Sequence, residues 1–202
     1  MERLNRRRDK ILEGALDVFA GNGFFATNIK MIASKLTLGH GTIYRYFDSK
    51  SDIFQTLVGR ILESIVTQLS AEPPTAQTLD EYQEQLSRIG RKLYQIFTAD
   101  PRLGKIFFSD LKSIDQGSFA LWESAMKQLN TLTASYLKKG QSQGYIRSEV
   151  DTLLAGEALN SLLFSAIKAV LRSDAKDRDE VYLNWEKLII EFITLGLAKK
   201  NG

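Results

Sequence analysis

The chain has 202 residues, no cysteine and one histidine, and its 27 Lys+Arg against 24 Asp+Glu leave a net charge of +3. That length holds one domain or two small ones and buries a core easily. Without cysteine there is no disulfide framework and no thiolate chemistry, and a single histidine leaves Cys/His and Ser/His catalysis almost no material.

Other function classes fall on the same footing. No glycine-rich phosphate loop is present, and the acidic residues scatter at helical-surface spacing instead of clustering as metal ligands. An enzyme is not expected, nor a metal or cofactor. The N-terminus is charged, and its first apolar run is broken by Glu13, Gly14 and Asp17, so no signal peptide is read there. The most apolar stretch, 153–171, still contains Glu157, Asn160 and Lys168, which argues against a membrane span and for a soluble cytoplasmic protein. Residues 1–50 hold 9 Lys/Arg against 5 Asp/Glu, whereas residues 51–202 hold 18 against 19. The positive excess therefore sits at the N-terminal end, as in a small DNA-binding head on a neutral body.

Arg3, Arg6, Arg7, Arg8 and Lys10 lead in, as either a solvated tail or a helix start near phosphates. A first helix is predicted over about 7–21, with Ile11, Leu12, Ala15, Leu16 and Phe19 on one stripe. Gly21-Asn22-Gly23 stops it. Phe24 or Phe25 should fill a small core shared with Ile32, Ile43 and Phe47.

Residues 27–50 carry the most informative pattern. Ile29, Ile32, Ala33 and Leu36 lie at i, i+3, i+4 and i+7, one face of a short helix that Thr27 is placed to cap. Thr37 to His40 break the pattern. Ile43 and Phe47 then anchor a second short helix whose Thr42, Tyr44, Arg45 and Tyr46 point outward. A helix-turn-helix has this arrangement, with the second helix entering the major groove. Lys50 and the free N–H groups at the next helix start suit a phosphate oxygen.

That next helix, about 49–70, buries Ile53, Phe54, Leu57, Ile61, Ile65 and Leu69, and is long enough to join head and body as a lever. Pro73-Pro74 marks a linker-like break. Helices follow over 79–98, from Pro101 through Phe108, over 114–143, from an Asp151 cap to about 172, and over 179–199. About nine helices and no alternating pattern predict an all-α fold. Residues 1–50 are expected to form a three-helix DNA-binding head completed by the helix at 49–70, and residues 51–202 a helical body. The last two helices are apolar over more than half their circumference and must bury two faces. A symmetric homodimer supplies the second partner, and two heads one turn apart read a palindrome. A large single-chain core is the other explanation.

The residues Phe19, Gly23-Phe24, Thr27, Ile32-Ala33, Gly41-Thr42-Ile43-Tyr44-Arg45-Tyr46-Phe47, Lys50 and Ile53 resemble the DNA-binding signature of the tetracycline-repressor (TetR) family of bacterial transcription regulators. The resemblance implies that His40, Gly41 and Thr42 approach base edges and that Lys30 reaches a base or phosphate. Thr27, Tyr44, Tyr46 and Lys50 would hold phosphates, and Gly39 and Arg45 complete the DNA-binding set. Where the family commonly has Ala-Gly-Val-Ser through the turn, this chain has Leu36-Thr37-Leu38-Gly39, so Thr37 replaces the turn glycine and Gly39 the capping serine. The family also implies a homodimer through the last two helices, here Leu159, Leu163, Ile167, Trp185, Leu188 and Phe192. It implies a small-molecule effector pocket in the body, for which Tyr94, Phe97, Phe107, Phe108, Trp122, Met126, Asn160 and Phe164 are candidates. Ordinary core packing explains those aromatics equally simply. The expected function is a ligand-responsive regulator, a repressor on a palindromic double-stranded DNA operator, released by an apolar or amphiphilic effector and nucleoid-associated in a bacterial cytoplasm. The alternative is a helical adaptor that uses Tyr44-Arg45-Tyr46 as a protein hot spot.

Overall fold

The computed structural model describes residues 2–109 and 111–199, with side chains from Arg6 onward except at 112 and 113. The side chain of Arg3 lies outside the described residues. Ten helices and no strand occur among the described residues, the all-α fold that the sequence predicts. They are α1 (Glu2–Asn22), α2 (Ile29–Lys35), α3 (His40–Tyr44), α4 (Lys50–Ser70), α5 (Leu79–Ala99), α6 (Pro101–Phe107), α7 (Leu111–Ile114), α8 (Gln116–Gln143), α9 (Thr152–Arg172) and α10 (Arg178–Gly196). The short α7 accounts for one helix beyond the nine. α1 begins earlier than predicted, so the basic run is helical, consistent with the high helix propensity of Arg and Lys.

The chain forms two compact units: Met1–Ser64 with Asp100–Ser124, and Ile65–Ala99 with Ala125–Gly202. α4 and α8 each contribute residues to both.

In the first unit, Ile11, Ala15 and Phe19 of α1 meet Ile32 of α2, Ile43 of α3 and Ile53 and Phe54 of α4, all at most 2% exposed. Phe54 is the centre of an aromatic cluster: its ring lies 5.1 Å from Phe19 and 5.0 Å from Phe24, both edge-on. Such pairs add about 0.5–1.5 kcal/mol beyond burial. Phe24 is thus the predicted plug, while Phe25 is exposed. A Cβ on Gly14 would stand 2.7 Å from Cγ and Cδ2 of Leu36, so the mid-helix glycine admits the end of α2. Asp100 caps α6 by accepting from the Arg102 N–H, with Pro101 in the first turn. Arg102 then reaches α1, pairing with Asp17 (2.5 Å) and Glu13 (2.7 Å) while holding Asp100 (2.7 Å). Asp17 also pairs with Lys35 of α2 at 3.0 Å.

In the second unit, α9 packs on α10 and α5, and the 125–143 part of α8 meets it at Gly156 and Asn160. Gly156 permits a close helix crossing, since a Cβ there would lie 3.1 Å from both Ala134 N and Asn130 O of the α8 backbone. Asp151 caps α9 by accepting from the N–H groups of Leu153 and Leu154, as expected. The linker-like 71–78 segment is tied down: Gln85 Nε2 donates to Pro73 O, Tyr136 Oη donates to Glu72 O, and Lys92 pairs with the Glu72 carboxylate at 2.7 Å. Among the described residues one antiparallel bridge, Ile146 with Ala198, pins the segment just after α10 to the turn after α8.

Candidate functional site

The connection between α2 and α3 decides how the second helix is presented. Thr37 N–H donates to Ser34 O (3.1 Å) and Leu38 N–H to Ala33 O (2.9 Å). With Leu36 as C-cap this is a Schellman motif, which requires a left-handed residue just beyond the cap. That residue is Thr37, at φ +54, and among the described residues it is the one non-glycine in that region. A β-branched side chain is strained there. Gly39 follows as the N-cap of α3 in extended geometry, without a side-chain cap bond.

α3 has five residues and a narrow anchor: Ile43 is 0% and Phe47 2% exposed. His40, Gly41, Tyr44 and Arg45 are exposed, and Thr42 and Tyr46 half-buried. The rings of His40 and Tyr44 lie 6.5 Å apart on one side. Lys30, at the start of α2, is also exposed. An imidazole, a guanidinium, an ammonium, hydroxyls and a phenol therefore project from two short elements held by buried anchors. That array can donate to phosphate oxygens and base edges.

Two predicted contacts stand elsewhere. Thr27 is 2% exposed and donates its hydroxyl to Gly23 O at 2.7 Å. It does not cap α2; Asn28 does, accepting from Met31 N–H at 3.0 Å. Thr and Asn are both good caps, and TNIK alone does not choose between them. Lys50 donates to Phe24 O (2.9 Å) and Thr27 O (2.8 Å), with its ammonium 4.2 Å from the centre of the Phe24 ring. It clasps the α1–α2 connection. The start of α4 is closed too: Ser49 Oγ accepts from Asp52 N–H, and Asp52 accepts from Asp48 N–H, a variant of the capping box. The free N–H groups expected there are partly taken. Arg8, in the basic lead, lies 4.8 Å over the Phe47 ring and so braces the segment just after α3.

The second unit contains a cavity of about 60 Å³ lined by α5, α8, α9 and α10, with Leu69. Its walls are chiefly Leu and Ile. Of the predicted pocket residues, Asn160 lines it. Asn160 is held in a chain of bonds, accepting from Thr133 Oγ1 at 3.0 Å and donating to Asn130 Oδ1 at 2.8 Å. Phe97 is 0% exposed in the core. Tyr94 hydrogen-bonds Asp179, which holds its hydroxyl protonated above the usual phenol range. Met126 and Phe164 are half-buried outside the lining. In the first unit, Phe107 and Trp122 border a gap with no water-sized volume, and the Phe108 ring lies 4.9 Å from that of Phe107. Most of the predicted aromatics pack elsewhere and the cavity wall is chiefly aliphatic, with Tyr136 and Tyr182 its aromatic members, which is why aromatic content alone did not locate it. Tyr182 and Glu186 were missed. Their signal is an acidic residue within the apolar run of α10.

The predicted dimer residues divide. Leu159 and Ile167 are 6% and 0% exposed within the chain, and Leu163 lines the cavity, so these α9 positions serve its own core. Trp185 is half-buried. Leu188 and Phe192 are 51% and 56% exposed and form one stripe with Leu195 at i, i+4 and i+7. On α9 the most apolar 18 residues have a mean hydropathy of 1.4, yet only 28% of them are buried.

Comparison with known proteins bears on the same segments. The family described as bacterial regulatory proteins, tetR family, matches residues 11–57. The fatty acid metabolism regulator protein of Bacillus subtilis (strain 168) is 23% identical over 195 residues, 95% of each chain. An HTH-type transcriptional repressor of Mycobacterium tuberculosis is 35% identical over 83 residues, 41% of this chain and 42% of that one. The crystal structure of the transcriptional regulator FadR from Bacillus subtilis, in complex with stearoyl-CoA, aligns with a TM-score of 0.75 at 19% identity, over 93% of this chain and 97% of that one.

Proposed function

The chain belongs to the TetR family of bacterial regulatory proteins, a regulatory and not a catalytic class, and from that premise we propose that it binds a palindromic DNA operator as a homodimer and represses transcription there. The observation that carries this is the α3 face: exposed His40 and Tyr44 on a five-residue helix, with exposed Arg45 as its C-cap, anchored by buried Ile43 within it and Phe47 just beyond. We assign DNA contact to residues 1–50 and effector binding and dimerisation to residues 51–202, in the cytoplasm. His40, Gly41 and Thr42 read base edges. Lys30, Tyr44, Arg45 and Tyr46 hold phosphates. The exposed α10 stripe supports dimerisation.

A small apolar or amphiphilic effector enters the α5–α10 cavity. Its Leu/Ile walls support this, as does the stearoyl-CoA bound by the solved Bacillus relative. At about 60 Å³ the cavity is tight, so the effector must widen it. An effector that prefers the widened state shifts the population toward it, and one with equal affinity for both states shifts nothing.

Fluorescence anisotropy with DNA flanking the protein's own gene, over a salt series and with a footprint, tests the reading. The expected outcome is tight binding to one palindromic site, weakening steeply with salt. Tyr44→Phe should weaken all sequences similarly, whereas Thr42→Ala or His40→Ala should change sequence preference. Salt-insensitive association with a protein, and none with DNA, would return the adaptor reading.

A further inference from the structure

The cavity in the second unit is apolar but not symmetric in charge. Among the described residues that line it, Glu186 is the one charged side chain. It sits on α10 with a side-chain exposure of 16%. One of its oxygens accepts from the Tyr182 hydroxyl at 3.1 Å. The other has Arg91 at 4.0 Å, the outer limit of an ion pair, and the Arg91 side chain is 55% exposed. A carboxylate offers about four lone-pair positions, so acceptor capacity remains. Among the uncharged polar residues of the wall, which include Ser87 and Thr133, Asn160 already has its oxygen accepting from Thr133 and its nitrogen donating to Asn130.

We infer that the cavity selects amphiphiles whose polar end is a cation, and that Glu186 is the residue that determines this. The inference rests on the effector-cavity reading above and names the chemical class that the site takes. The physical ground is the low-dielectric wall. A carboxylate beside Leu and Ile is poorly solvated and gains most from a donor that carries positive charge, while an alkanoate head would meet a like charge and lose its own water. A neutral alcohol donates one hydrogen bond without the charge and falls between. Tyr182, which orients Glu186 by its hydrogen bond, is a positioning residue.

The experiment titrates the full-length protein at pH 7 with n-octylammonium, n-octanol and n-octanoate, below their aggregation concentrations, by calorimetry and thermal shift. The expected order is octylammonium, octanol, octanoate, with at least a tenfold gap in Kd between the first and last. Glu186→Gln should bring the three within about twofold of one another, and Glu186→Lys should reverse the order, each variant first checked for native helicity. Octanoate binding as tightly as octylammonium to the unaltered chain, or an ammonium preference that survives both substitutions, overturns the inference. In that case octanol binding would leave the effector-cavity reading standing. No binding by any of the three would remove the cavity reading and the inference together.

Discussion

Thr37 holds a left-handed conformation that an L-residue adopts at a cost of about 1–2 kcal/mol. Replacing it by glycine relieves that cost and loses some unfolded-state restriction in exchange. We therefore expect Thr37→Gly to stabilise the protein by about 1 kcal/mol, seen as a higher Tm, with the α2–α3 turn unchanged. A lower Tm would mean that the Thr37 side chain makes a contact worth more than its strain. Lys50 tests a different residue-level question. Its two bonds to the carbonyls of Phe24 and Thr27 come from a charged donor. Their loss in Lys50→Ala should lower stability by about 1–2 kcal/mol in the absence of DNA. An unchanged unfolding curve with weaker DNA binding would place its role at phosphate instead. The sequence identified Lys50 as noteworthy but not its partners, because those carbonyls lie more than twenty residues away.

At the level of elements, Arg102 joins α6 to α1 through Asp17 and Glu13, while Asp17 also takes Lys35 of α2. The Arg102 guanidinium first, and the Lys35 ammonium second, hold the Asp17 carboxyl below its ordinary value of 3.8; Arg102 does the same for Asp100. A carboxylate with a depressed folded pKa contributes its stability above its unfolded value and loses it as pH falls through the folded value. The contribution is therefore complete at neutral pH and lost in the acid range below about 4. These groups are about one-third exposed, so the network is screened. Arg102→Met should cost about 1 kcal/mol at pH 7, and the difference from the unaltered protein should shrink as pH falls below about 4 in denaturant titrations. A difference independent of pH would assign the loss to packing. Most helices were legible in the sequence because each carries its own apolar stripe. α7 and the extra turns of α1 were not, since the first is four residues long and the second, ahead of residue 7, carries no apolar stripe of its own.

For the molecule as a whole, α10 leaves Leu188, Phe192 and Leu195 in one exposed stripe. Leu188→Glu with Phe192→Glu should place like charges across a two-fold interface. We expect the doubled mass at micromolar concentration to fall to that of one chain, with operator affinity lost and helicity retained, as read by sedimentation and circular dichroism. A monomeric unaltered protein would refute the dimer directly. The α9 half of the expected interface was placed on Leu159 and Ile167, which the chain buries itself. Hydrophobicity marks a residue for burial but not the surface that buries it, and a helix with two apolar faces needs coordinates to tell them apart.

The sequence by itself determined the all-α class, the helix-turn-helix string with its buried Ile43 and Phe47, the Asp151 cap and the awkward turn at Thr37. Each follows from local spacing, and local spacing sets which side chains share a face. Only the tertiary structure decided that Thr27 turns inward, that Lys50 clasps a loop, and that the cavity lies among aliphatic residues beside Glu186. Those outcomes depend on which distant segments meet, and side chains far apart in the chain compete for the same space and the same hydrogen-bond partners.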